Sequence, residues 1–149
     1  MTSIKKIINM NKKRTNITFK DRYLGIIVLV TVQFIVGLIH IIFGLIMLLG
    51  NFSVTTFPTT STIYSSYTFI YGTLTFVFAY LLLTNKQSGW IGTILVSLFV
   101  IMADTLTALN MLIILGIPKI AAIGEIPYGI LIISYLAQNH VRSKYNNQF

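Results

Sequence analysis

The sequence predicts an all-α protein, a four-transmembrane-helix antiparallel bundle with both termini cytoplasmic, and three observations carry that reading. Hydrophobic residues make up 55% of the 149-residue chain and charged residues only 9%, whereas a soluble domain needs about a quarter of its residues charged to keep its surface wet. Four stretches, residues 23–50, 63–84, 90–115 and 117–136, each offer the roughly 20 apolar helical residues that a hydrocarbon core of about 30 Å requires. Lys and Arg gather on one side of those stretches. The chain divides accordingly into a basic cytoplasmic tail (1–22), a transmembrane domain (23–138) and a basic, polar cytoplasmic tail (139–149).

The N-terminal tail alternates Ile pairs with Lys pairs. Its composition reads as an unstructured topogenic segment, with a short basic amphipathic helix on the inner leaflet as the alternative. The first span is 28 residues without a formal charge; it is too long for the apolar region of a signal peptide, lacks a small-residue cleavage site, and is expected to stay in the mature protein. Residues 51–62 follow as an outer connection of Ser, Thr, Phe and one Pro, with a formal glycosylation sequon at Asn51 to Ser53. The second span runs to an inner loop, NKQSG (85–89), and the third is expected to meet the fourth in a tight hairpin. There Gly116 suits a C-cap and Pro118 a first helical turn. Pro127 removes one backbone hydrogen bond inside the fourth span, so a kink or a locally satisfied gap is expected.

Orientation follows from the basic residues, because positively charged loops are retained in the cytoplasm. With the N-terminus inside, Lys5, Lys6, Lys12, Lys13, Arg14, Lys20, Arg22, Lys86, Arg142 and Lys144 are cytoplasmic and only Lys119 is outside. The predicted location is the cell membrane, multi-pass, N-in and C-in. The formal charge of +8 is charge at the ends of spans and does not point to nucleic acid.

Helices in lipid approach each other through small residues and interhelical hydrogen bonds, so such residues should mark the inward faces. Helical spacing aligns Gln33, Gly37, His40 and Gly44 on the first span and Thr68, Gly72, Thr75 and Ala79 on the second. Ser97, Asp104 and Ala108 align on the third, and Ala122, Glu125 and Gly129 on the fourth. Gly37, Gly44, Gly72, Ala108 and Gly129 are the candidate packing positions. At 1.5 Å per residue, His40, Asp104, Glu125 and Tyr71 stand about 25, 21, 17 and 20 Å from the inner ends of their spans. A common polar layer is therefore predicted, with Gln33 below it and Asn110 and Tyr67 above.

An ionised carboxylate in hydrocarbon is unfavourable by at least a few kcal/mol, so Asp104 and Glu125 should find partners or stay protonated, and His40 is the available partner. Three readings of the layer stand beside each other: a rung that fixes helix register, a proton, ion or substrate site, and a metal held by His40, Asp104 and Glu125. One histidine makes a thin ligand set for the last. The sequence lacks cysteine, GxGxxG, GKS or GKT, HExxH and GxSxG, so thiol chemistry, covalent haem attachment and the common catalytic motifs are excluded. No catalytic residue and no cofactor are assigned. Tyr64, Tyr67 and Tyr71 read as a packing and anchor stripe, and Tyr23 and Trp90 as inner-interface anchors.

The segments GLIHIIFGLIMLLG (37–50), YGTLTFVFAYLLLTNKQSGW (71–90) and ISYLAQNHVRSKYN (133–146) resemble small four-span prokaryotic membrane proteins, archaeal ones especially, of uncharacterised function. A Gly-rich first span, a YG-initiated second, a short basic loop ending in Gly-Trp, and a closing Tyr-Leu, Val-Arg, Tyr pattern recur in them. The resemblance implies the architecture and an archaeal source; it carries over no substrate. The residues themselves suggest a non-enzymatic accessory or scaffolding subunit packed against a larger membrane complex, with lipid and other subunits or a second copy as partners. The alternative is a small transporter or a proton or ion relay built on the His/Asp/Glu layer. An intramembrane enzyme ranks third.

Overall fold

The computed structural model describes residues 2–53, 59–111 and 118–146. The chain is all-α: α1 (Thr2–Ser53), α2 (Thr59–Leu83), α3 (Gln87–Ala108), α4 (Lys119–Leu136) and α5 (Asn139–Asn146). Four of these helices contain segments long and apolar enough to cross a membrane: Leu24–Gly50, Thr62–Leu83, Gln87–Ala108 and Lys119–Leu136.

Several boundaries differ from those the sequence suggests. α1 is 52 residues long, about 78 Å at 1.5 Å per residue, because the tail is helical and not unstructured. No Gly or Pro interrupts residues 2–24, so nothing in the backbone stops the helix. α1 persists through Ser53 and α2 starts at Thr59, which shortens the connection expected over 51–62. The NKQSG loop also contracts, since α3 begins at Gln87 with Lys86 as its N-cap.

The reason is a pair of asparagines in the left-handed conformation, Asn85 (φ 58°) and Asn110 (φ 59°). Asn85 N–H donates to the Leu82 carbonyl at 3.1 Å and Lys86 N–H to that of Leu81 at 3.0 Å. Asn110 N–H donates to the Thr107 carbonyl at 3.0 Å and Met111 N–H to that of Leu106 at 2.8 Å. Both patterns are Schellman motifs, which satisfy otherwise orphaned carbonyls and end the helix. α3 thus stops at Ala108, well short of residue 115, and the tight hairpin to α4 becomes a ten-residue connection, 109–118. Pro118 is the extended N-cap of α4 and not part of its first turn, while Gly116 lies outside the described residues. Pro127 sits inside an α4 that is otherwise continuous.

Consecutive long helices run antiparallel and pack against each other. A Cβ built at Gly72 would lie 2.8 Å from the Gly37 carbonyl oxygen and 2.7 Å from Ile41 N; one at Gly44 would lie 2.7 Å from Phe69 N. α1 and α2 therefore touch backbone to backbone. A Cβ at Gly89 would overlap Leu82 N, and one at Gly92 the Phe78 ring, which fixes α3 against α2. One at Gly129 would lie 2.8 Å from Ile101, where α4 meets α3. Among the described residues α1 and α4 have no comparable backbone approach and meet through side chains.

The segment expected to be a polar tail instead folds into α5, which closes the Lys86 end of the bundle. Val141 and Tyr145 are buried in one cluster with Ile26, Val30, Ala79, Leu82, Ile132 and Leu136. Tyr145 OH donates to the Leu82 carbonyl at 3.1 Å. Trp90 Nε1 donates to the Leu136 carbonyl at 3.0 Å, satisfying an acceptor at the last residue of α4. Burial pushes the Tyr145 phenol up to about 12. The opposite, outward faces are apolar and exposed, with Ile46, Leu95 and Leu131 each more than half accessible.

Candidate functional site

His40 lies on α1 between Gly37 and Gly44, so the close approach of α1 to α2 presses it against α2, where its ring meets Tyr71 edge-on at 4.9 Å between centroids. Glu125 lies on α4 one turn before Gly129. Its Oε1 is 3.2 Å from His40 Nε2, and this contact joins α1 to α4. The two side chains are 21% and 25% accessible, so the bridge is partly reachable from outside the bundle.

Hydrogen-bond valence determines what this pair can do. His40 Nδ1 is 2.8 Å from the Val36 carbonyl, which can only accept, so Nδ1 carries a hydrogen. One further proton lies between Nε2 and Oε1. On the ring it gives imidazolium and carboxylate; on the acid it gives neutral imidazole and carboxyl. The pair is neutral overall in both forms, so a shift of the proton from one atom to the other creates no net buried charge.

Asp104 on α3 is the second acid. It is 1% accessible, and its Oδ2 has no hydrogen-bond partner. Glu125 and His40 are the ionisable groups that act on it. Buried acids are usually fully hydrogen-bonded, so this unpartnered oxygen sets Asp104 apart from a satisfied structural group. Above it, Tyr67 stacks on Tyr71 with centroids 6.3 Å apart, and its hydroxyl is buried and unpartnered.

The six candidates for the polar layer thus fall into three places. His40 contacts both Tyr71 and Glu125, and Asp104 is near enough to couple to the pair through space. Gln33 is two helical turns away along α1, where it lines an internal cavity that Tyr71 also borders. Asn110 is exposed and serves as the left-handed cap of α3, so it does not join the layer. Among the described residues no three His, Asp or Glu side chains converge to hold a metal ion; the three-ligand reading of His40, Asp104 and Glu125 is not realised.

Two residues of the interior were not singled out from the sequence, Thr93 and Tyr128, both of which line the cavity with Gln33. Each had a signal available: Thr93 lies four residues before Ser97, and Tyr128 three after Glu125, on the faces already marked. A larger apolar groove of about 420 Å³ runs along α2 and α3 and is lined by Tyr67, Ile70, Tyr71, Leu74, Leu95, Val96 and Phe99. No family model matches the chain, and neither a curated protein nor a solved structure matches it.

Proposed function

We propose that the protein is a multi-pass integral membrane protein, with both termini cytoplasmic, whose interior binds and relays protons at His40, Glu125 and Asp104. Membrane insertion is supported by the four apolar helices and by exposed faces rich in Ile, Leu and Phe. Orientation rests on the ten-to-one asymmetry of basic residues. The observation that carries the relay is the His40–Glu125 contact beside a buried Asp104 with an unpartnered oxygen. A rung that serves only to fix register has no use for an unsatisfied acid, and ionisable groups inside membranes mark proton and ion paths.

The test is proton flux into liposomes carrying purified protein and an internal pH dye, driven by an inside-negative potassium diffusion potential. Wild type is expected to acidify the interior faster than protein-free vesicles. Glu125→Gln and His40→Phe are expected to reduce the rate to the protein-free level. Unchanged flux in Glu125→Gln rejects the relay.

A second reading, the accessory or scaffolding subunit, is favoured by one observation: only 22% to 39% of each apolar window is buried within the chain. The rest is available to lipid or to another membrane protein. Purification in mild detergent tests it, since a subunit is expected to carry a stoichiometric partner, whereas a species of 16.8 kDa or its homo-oligomer alone counts against it.

A further inference from the structure

Beneath the His40–Glu125 pair a small cavity lies between the four long helices, and each leaves one oxygen there without a hydrogen-bond partner: Gln33 Oε1 from α1, Thr75 Oγ1 from α2, Thr93 Oγ1 from α3 and Tyr128 OH from α4. Tyr71 and Ser97 also line it, Tyr71 within interaction range of the Thr75 side chain. All four oxygens are buried and lack a hydrogen-bond partner. Gln33, Thr75 and Thr93 are 3%, 5% and 2% accessible. The threonines are unusual for this protein. Thr68, Thr105 and Thr107 satisfy their hydroxyls on the carbonyl one turn back, at 2.9, 2.6 and 2.9 Å, the usual resort of a hydroxyl in an apolar helix. Thr75 and Thr93 do not.

We infer that this cavity is the binding site of one ordered water molecule, coordinated by all four helices. The free volume is about 10 Å³, close to the roughly 10–15 Å³ that a single water needs. The valences close: water donates to Gln33 Oε1, which can only accept, and to one hydroxyl, and it accepts from the other two. Four bonds satisfy four orphaned oxygens. A monovalent cation fits less well, because the lining contains no carboxylate to offset the loss of its hydration shell. The inference is independent of the proton-relay reading.

Isosteric Thr→Val substitutions decide it, because their sign depends on whether the cavity is wet. In the full-length protein in detergent micelles, Thr75→Val and Thr93→Val are each expected to lower the thermal midpoint by a few degrees. The double variant is expected to fall by less than the sum, since the water is lost with the first substitution. Thr93→Ser, which keeps the hydroxyl, is expected to stay near wild type. If the cavity is dry, Thr93→Val relieves a buried unsatisfied hydroxyl and raises the midpoint, which overturns the inference whatever Thr75→Val does through its neighbour Tyr71. A midpoint that rises in sodium or potassium chloride over choline chloride at equal ionic strength, and loses that rise in Thr93→Val, also overturns it and identifies a cation site.

Discussion

Substituting Gly72 by Ala tests the contact on which the geometry of the site depends. The added Cβ would stand 2.7 Å from Ile41 N, 2.8 Å from the Gly37 carbonyl oxygen and 2.8 Å from His40 Cβ, where ordinary contact begins near 3.4 Å. Two of the three neighbours are backbone and cannot rotate away. α1 must therefore retreat by about 0.7 Å, the difference between 3.4 and 2.7 Å. Overpacking of this kind destabilises by about 1–3 kcal/mol. The Gly→Ala change also adds about 1 kcal/mol of helix propensity, and a control removes that contribution: Gly124, inside α4, has nothing within 4 Å of its built Cβ. The gap in unfolding free energy between Gly72→Ala and Gly124→Ala is therefore the overpacking alone, about 1–3 kcal/mol. Reversible unfolding by SDS in mixed micelles measures it. Because His40 is among the displaced residues, a shift of 0.7 Å along its contact with Glu125 would stretch 3.2 Å to about 3.9 Å, beyond hydrogen-bond range. Proton flux should fall with stability. Equal stability of the two variants would refute the backbone contact between α1 and α2.

A double-mutant cycle of His40→Phe with Glu125→Gln should show a coupling of about 0.6–1.7 kcal/mol if the shared proton rests on the acid, and more if an ion pair forms; strict additivity removes the pair. Tyr145→Phe should lose about 0.5–1.5 kcal/mol near neutral pH, with the hydrogen bond to Leu82. The folded phenol is pushed up to about 12 from 10, so the unfolded chain releases that proton first and stability falls as pH rises from 10 towards 12, by roughly 2–3 kcal/mol. The advantage of wild type over Tyr145→Phe should accordingly shrink and reverse in that window, and a constant difference would place the phenol in water. In the cysteine-free chain, an impermeant maleimide should label Met111→Cys but not Ser143→Cys from outside intact cells. The opposite pattern inverts the topology.

The four apolar helices were legible because a long apolar helix is written in composition and length, both of which survive in a single sequence. Packing stripes were legible for a related reason: close helix contact demands Gly, Ala, Ser or Thr at helical spacing, and Gly37, Gly44, Gly72 and Gly129 all lie where a Cβ would crowd a neighbour. Helix ends were less so. An Asn within an apolar run looks like a polar side chain seeking a partner, and only its backbone angle reveals that Asn110 terminates α3. α5 was hidden by its polarity. In NHVRSKYN the buried residues are Val141 and Tyr145, four apart, too few to raise the segment above the solvated tails. The cavity was hidden because it depends on side chains of four helices meeting at one point, a coincidence no periodicity encodes.

The closure by α5 has a bearing on how the bundle is made. Its inward-facing residues, Val141 and Tyr145, are synthesised after every helix they seal, so α1 to α4 are complete while the core at Ala79, Leu82, Ile132 and Leu136 still lacks its cover. A chain cut between Leu136 and Tyr145 keeps all four apolar helices but leaves the cluster of Ile26, Val30, Ala79, Leu82, Ile132 and Leu136 without the two side chains that cover it.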